Sequence, residues 1–202
     1  IIRFLMTQGV KAIVVACNTA SAFALEEIKK EIEIPILGVV QPGAKVACAA
    51  TKNKKIGVIG TEGTVRSQIY TKFVQQWDPE IQVIGKACPL FVPLVEEGWL
   101  KDPVTDEVAQ RYLSELKEKE IDTLVLGCTH YPLLRSTVRK VMGDDVTLVN
   151  PAYETALELK ELLCANHLDN RGEGGQDREK YQFFVSDAAD KFKQFANSIL
   201  PY

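Results

Sequence analysis

The sequence predicts an α/β protein with a mainly parallel sheet and helices on both of its faces. Three observations carry that prediction. Short aliphatic runs alternate with segments of helical periodicity along most of the 202 residues, which is the pattern of repeated strand–helix crossovers. The runs are apolar throughout rather than alternating, as expected of strands buried on both faces. Two of them, Val14–Ala16 and Leu124–Gly127, end in a small residue followed at once by a cysteine and polar side chains.

The elements follow in order. IIRFLMTQG reads as the end of an amphipathic helix stopped by Gly9. KAIVVA (Lys11–Ala16) is a strand. Thr19–Glu33 places Phe23, Leu25, Ile28 and Ile32 at helical spacing and is closed by Pro35. ILGVV (Ile36–Val40) is a strand, and Pro42–Gly43 open a helix of small residues. KIGVIG (Lys55–Gly60) is a strand, Thr61–Trp77 is mostly helical, and IQVIGKA (Ile81–Ala87) is a strand. CPLFVPLVEEGW is a short helix or loop. Asp102–Pro103 start a long helix to Glu118. DTLVLG is a strand, Pro132–Met142 a helix, VTLVN a strand and Tyr153–Leu163 a helix. Asn166–Lys180 is polar and glycine-rich, a surface loop; YQFFVS is a final strand, and Asp187 caps the last helix.

Composition narrows the function classes. Hydrophobic residues make up 46% and charged residues 25%, the balance of a soluble globular chain. Net charge is −3 with the signs mixed, so no basic face for nucleic acid or anionic membrane is expected. No apolar run is long enough to span a bilayer, and no secretory signal is visible. Five cysteines without a C-x-x-C point to reduced thiols, hence a cytoplasmic setting, rather than a disulfide framework. Cys48, Cys88 and Cys164 read as buried structural thiols.

Cys17 and Cys128 read differently, because each stands where a strand gives way to a helix. That sheet edge is where ligands bind in open α/β folds, and a helix N-terminus is expected to lower a thiol pKa. Three chemistries could use such thiols. A zinc site of Cys17, Cys128 and His130 lacks any close ligand pair. A cysteine hydrolase uses one thiol and leaves the other idle. Proton exchange at a stereocentre needs two matched acid/base groups on opposite faces of one carbon, and alone accounts for a device made twice. GVIGTEG has G-x-x-G-x-x-G spacing and does not read as a dinucleotide loop.

VVACNTASA and LVLGCTHYPLL together resemble the two active-site motifs of the glutamate racemases of the aspartate/glutamate racemase superfamily. KIGVIGTEGTVRS and PLFVPLVEEG resemble the segments between them, in the same order. The resemblance implies two pseudo-symmetric α/β domains, residues 1–38 plus 150–202 and residues 39–149, with the active site in the cleft between them. It implies Cys17 and Cys128 as the acid/base thiols, assisted by His130 and Glu96. Asn18, Thr19, Thr129, His130 and Thr61, with Thr64 beside it, would hold the substrate. No metal and no cofactor such as pyridoxal phosphate is implied. The product would be D-glutamate for peptidoglycan, made by a homodimer. An aspartate or hydantoin racemase and a non-catalytic binding module are the alternatives. The family's opening Asp-Ser-Gly turn and its Pro-Tyr-Gly element have no counterpart here. With the start inside a helical pattern at Ile1, this leads to the expectation of a further upstream segment.

Overall fold

The computed structural model describes residues 1–170 and 181–200. Ile1–Asp169 form one compact unit and Asn170–Tyr202 a second.

In the first unit, α1 (Ile2–Thr7) ends before Gly9, whose φ of +71° is the left-handed conformation glycine adopts without a Cβ penalty. Strand β1 (Ile13–Val15) pairs in parallel with β2 (Ile36–Gly38), and α2 (Asn18–Glu31) crosses between them. Helix α3 (Val40–Ala50) leads to a separate four-stranded sheet of order β4-β3-β5-β6, all neighbours parallel: β3 is Lys55–Gly60, β4 Gln82–Ala87, β5 Thr123–Gly127 and β6 Thr147–Val149. Between β3 and β4 run α4 (Glu62–Arg66) and α5 (Ile69–Trp77). Between β4 and β5 run α6 (Phe91–Glu96) and α7 (Pro103–Glu118). A 3₁₀ turn (Tyr131–Leu134) and α8 (Arg135–Met142) join β5 to β6, and α9 (Pro151–Ala165) follows.

Every residue of β5 is buried, which explains its unbroken aliphatic sequence: a central parallel strand has no solvent face. Leu124, Val125 and Leu126 each contribute about 1.5–3 kcal/mol on burial. The small residues of α3 have a packing reason. Ala44 and Ala47 are fully buried, and a Cβ on Gly43 would come within 2.9 Å of Pro151, so the start of α9 lies directly on α3. The β5 start is fixed by Asp122, whose carboxylate accepts hydrogen bonds from the Thr51 hydroxyl and the backbone N–H groups of Lys52 and Asn53 at 2.6–2.7 Å.

Several elements depart from the sequence reading. The helical stretch after β3 is broken at Gln68, which takes a left-handed φ of 54°. The segment after Cys128 begins as a 3₁₀ turn over Tyr131–Leu134, with Pro132 in the first-turn place where a missing N–H costs nothing, and becomes α-helical only from Arg135. Tyr181–Ser186 form no strand: an apolar run becomes one only with a ladder partner, and none of the described strands pairs with it. Asp187 does not cap α10 (Ala189–Ile199) in the second unit. Ala188 occupies the cap position at φ 48°, and Asp187 accepts from its N–H instead. Cys48 is half-buried and Cys88 buried, but Cys164 is exposed, on the outer side of α9. Of the polar loop expected at Asn166–Lys180, residues 171–180 lie outside the described residues.

Candidate active site

The sequence-predicted residues gather at the carboxyl ends of parallel strands. Cys17, Asn18 and Thr19 follow β1. Thr61 and Thr64 follow β3. Cys128, Thr129 and His130 follow β5. Asn150, Pro151 and Ala152, which sequence reasoning did not single out, follow β6. They join Asn18, Cys128 and Thr129 in lining a cavity of about 370 Å³. Their only sequence signal was the N-cap–Pro pattern at a helix start, with Asn150 accepting from the Ala152 N–H.

Cys17 is exposed and is itself the N-cap of α2, its sulfur accepting from the Ala20 N–H at 3.5 Å. Asn18 and Thr19 are therefore free of the capping duty that their sequence position suggested. Thr19 instead joins a triangle of hydroxyls, 2.8 Å from Thr61 and 3.0 Å from Thr64. Thr61 also caps α4, accepting from the Thr64 N–H. The triangle ties the β1 end to the β3 end across the gap between the two sheets.

Cys128 is buried beside the cavity. Its sulfur lies 3.8 Å from His130 Nδ1, and Thr129 Oγ1 lies 3.3 Å from the same nitrogen. His130 Nε2 is 3.5 Å from Glu96 Oε1 at the end of α6. A proton on Nε2, facing the carboxylate, leaves Nδ1 as an acceptor toward Cys128. Glu97 beside it is exposed. The two arms of this arrangement are held together by Tyr131, which is fully buried, donates to the Cys88 carbonyl at 2.8 Å, and meets Phe91 edge to face.

The expected fall in thiol pKa is reversed at Cys128. Burial pushes it above the ordinary cysteine value. The backbone N–H groups of His130 and Tyr131 and the Thr129 hydroxyl pull the other way, and a charge on Cys17 raises it further. A helix end stabilises a thiolate by a few tenths to about 1 kcal/mol, and desolvation of a buried charge outweighs that. Among the described residues no three His, Cys, Asp or Glu side chains cluster as metal ligands would, and no helix is long and apolar enough to cross a membrane.

Residues 2–158 match the family model described as Asp/Glu/Hydantoin racemase. A glutamate racemase from Geobacter metallireducens is 46% identical over 200 residues, covering 99% of this chain and 73% of the relative. A glutamate racemase isoform from Bacillus anthracis superposes with a TM-score of 0.91 at 38% identity, covering 98% of this chain and 73% of that one. The Francisella tularensis glutamate racemase, solved with D-glutamate, superposes with a TM-score of 0.88 at 34% identity, covering 97% and 72%.

Proposed function

The chain belongs to the Asp/Glu/Hydantoin racemase family, and from that premise we infer that it is a glutamate racemase, an isomerase that interconverts L- and D-glutamate. It spans about three quarters of the length of the relatives it matches. Its substrate is a small molecule, and the family role is supply of D-glutamate for peptidoglycan.

We assign the acid/base work to Cys17 and Cys128. The observation that carries this is the pair of thiols at the carboxyl ends of β1 and β5, one exposed and one buried, with Asn18 beside the first lining the same cavity as the second. Inversion removes the α-proton from one face of the carbon and delivers a proton to the opposite face. With D-glutamate, the Cys17 thiolate takes the α-proton and the Cys128 thiol returns one from the other side. With L-glutamate the roles exchange. Cys128 must then first lose its proton, and its raised pKa makes that costly. His130 Nδ1 is placed to accept it, and Glu96 at Nε2 stabilises the imidazolium that results.

Asn18, Thr19 and Thr129 are assigned to the substrate's amino and carboxylate groups, with Thr61 and Thr64 orienting Thr19. The break between the β1–β2 sheet and the four-stranded sheet supports a lobe boundary near residue 39. We propose a homodimer working in the cytoplasm without cofactor. The test is circular dichroism of L-glutamate incubated with the chain: the signal should decay to zero as the racemate forms, and should persist with L-aspartate. A steady L-glutamate signal would overturn the reading.

A further inference from the structure

We propose that Tyr70 is a positioning residue of the racemase site, holding the Asn18 amide with its oxygen inward and its NH2 toward the substrate cavity. The proposal rests on the racemase reading for its substrate and on geometry for everything else. Tyr70 lies on α5, 52 residues from Asn18, and is 2% exposed. Its hydroxyl donates to Asn18 Oδ1 at 2.7 Å. Its ring lies against the end of β5, where a Cβ on Gly127 would come within 3.4 Å of it. One tyrosine therefore bonds the residue after Cys17 and occupies the space that a side chain on the residue before Cys128 would need.

The direction of that hydrogen bond follows from the chemistry of the two groups. A phenol has one proton to donate, and in a buried site it needs an acceptor. Among the described residues the acceptor that meets the Tyr70 hydroxyl is Asn18 Oδ1. Turning the amide over would set its NH2 against the hydroxyl and strand the phenol proton. Burial raises the Tyr70 pKa well above the ordinary tyrosine value, so the proton stays in place through the working pH range. With Oδ1 committed, Asn18 has its two N–H donors left, no partner for them among the described residues, and a place in the wall of the cavity beside Cys128 and Thr129. Two donors on a neutral, rigidly held amide suit a carboxylate oxygen. Without the hydroxyl the amide is free to present its oxygen to the same carboxylate, which repels it.

The test is a kinetic cycle of Tyr70→Phe, Asn18→Ala and the double variant. Y70F should raise KM about tenfold with kcat within twofold, the change expected when a fixed hydrogen-bond donor is lost from substrate binding. The fall in kcat/KM should be the same for both enantiomers, because their equilibrium constant of one couples the two directions. In the N18A background the same substitution should leave KM unchanged. An unchanged KM in Y70F, even with a lower thermal midpoint, overturns the proposal and leaves a packing residue. So does an equal rise in both backgrounds. Should Y70F fail to fold, the wild-type chain decides: the Asn18 side-chain NH2 resonances should shift when D-glutamate is added, and fixed resonances in a chain that turns over overturn it. A chain that shows the shift and does not racemise defeats the racemase reading and leaves the Tyr70–Asn18 pairing standing.

Discussion

The two cysteine motifs look like copies in the sequence and are unlike in space. Cys17 ends a three-residue strand of a two-stranded sheet, is exposed, and caps the helix that follows. Cys128 ends the fully buried β5 of the larger sheet and is followed by a 3₁₀ turn. Only Cys128 has a histidine beside it and a carboxylate behind the histidine. On the proposed mechanism, a pair of acid/base groups thus does not require matched surroundings. The buried thiol, harder to ionise, is the one with the imidazole and carboxylate behind it.

The most severe way to break this comparison is to remove either sulfur. Cys17→Ser and Cys128→Ser should each lower net racemisation by on the order of 10³-fold or more, because in the proposed mechanism each thiol is a base in one direction and an acid in the other. Deuterium wash-in at the α-carbon then separates the faces: residual exchange should favour L-glutamate in C17S and D-glutamate in C128S. Equal exchange of both enantiomers in both variants would reject the two-faced assignment.

Next in size is the relay. His130→Ala should cost about 10²-fold in kcat/KM, and Glu96→Gln about tenfold, measured by coupled assay in each direction. An H130A loss below twofold would make the two thiols equivalent after all.

The strand ends offer a third contrast. A Cβ on Gly127 would meet the Ile59 carbonyl at 2.7 Å, whereas the corresponding Ala16 is exposed. Gly127→Ala should destabilise the fold by about 1–3 kcal/mol in urea denaturation, and Ala16→Gly by less than about 1 kcal/mol.

The smallest effect sharpens the comparison by pH. Alkylation of Cys128 by iodoacetamide, followed by mass spectrometry, should be about tenfold slower than that of Cys17 near neutral pH, through burial alone. Because burial raises the Cys128 pKa, its rate should go on rising at pH values where a free cysteine has already reached its plateau. A Cys128 profile displaced to lower pH would contradict the burial argument.

The alternation of strands and helices was legible because buried parallel strands leave an unbroken apolar signature. The two thiols were legible because small polar residues after such a run have few structural uses. What was hidden depends on partners distant in the chain. Tyr70 reads as one more apolar position of an amphipathic helix until its hydroxyl is seen against Asn18. The Asn150–Ala152 wall reads as a helix cap. The reversed Cys128 pKa was missed because a helix end is visible in sequence and the depth of a site is not. YQFFVS carries strand propensity, but propensity does not supply the neighbour that a strand needs.

The edge-to-face contact between Tyr131 and Phe91 has a consequence for insertions and deletions. Phe91 is fixed in the core beneath the Cys128 turn, and Glu96 lies five residues further along the same short helix. A helix turns by about 100° per residue, so one residue added or lost between Phe91 and Glu96 would swing the carboxylate away from His130 while every core contact of Phe91 survived. Such a frame change would yield a folded protein with a detuned second thiol. In α6 it is therefore the count of residues, more than their polarity, that the chemistry constrains.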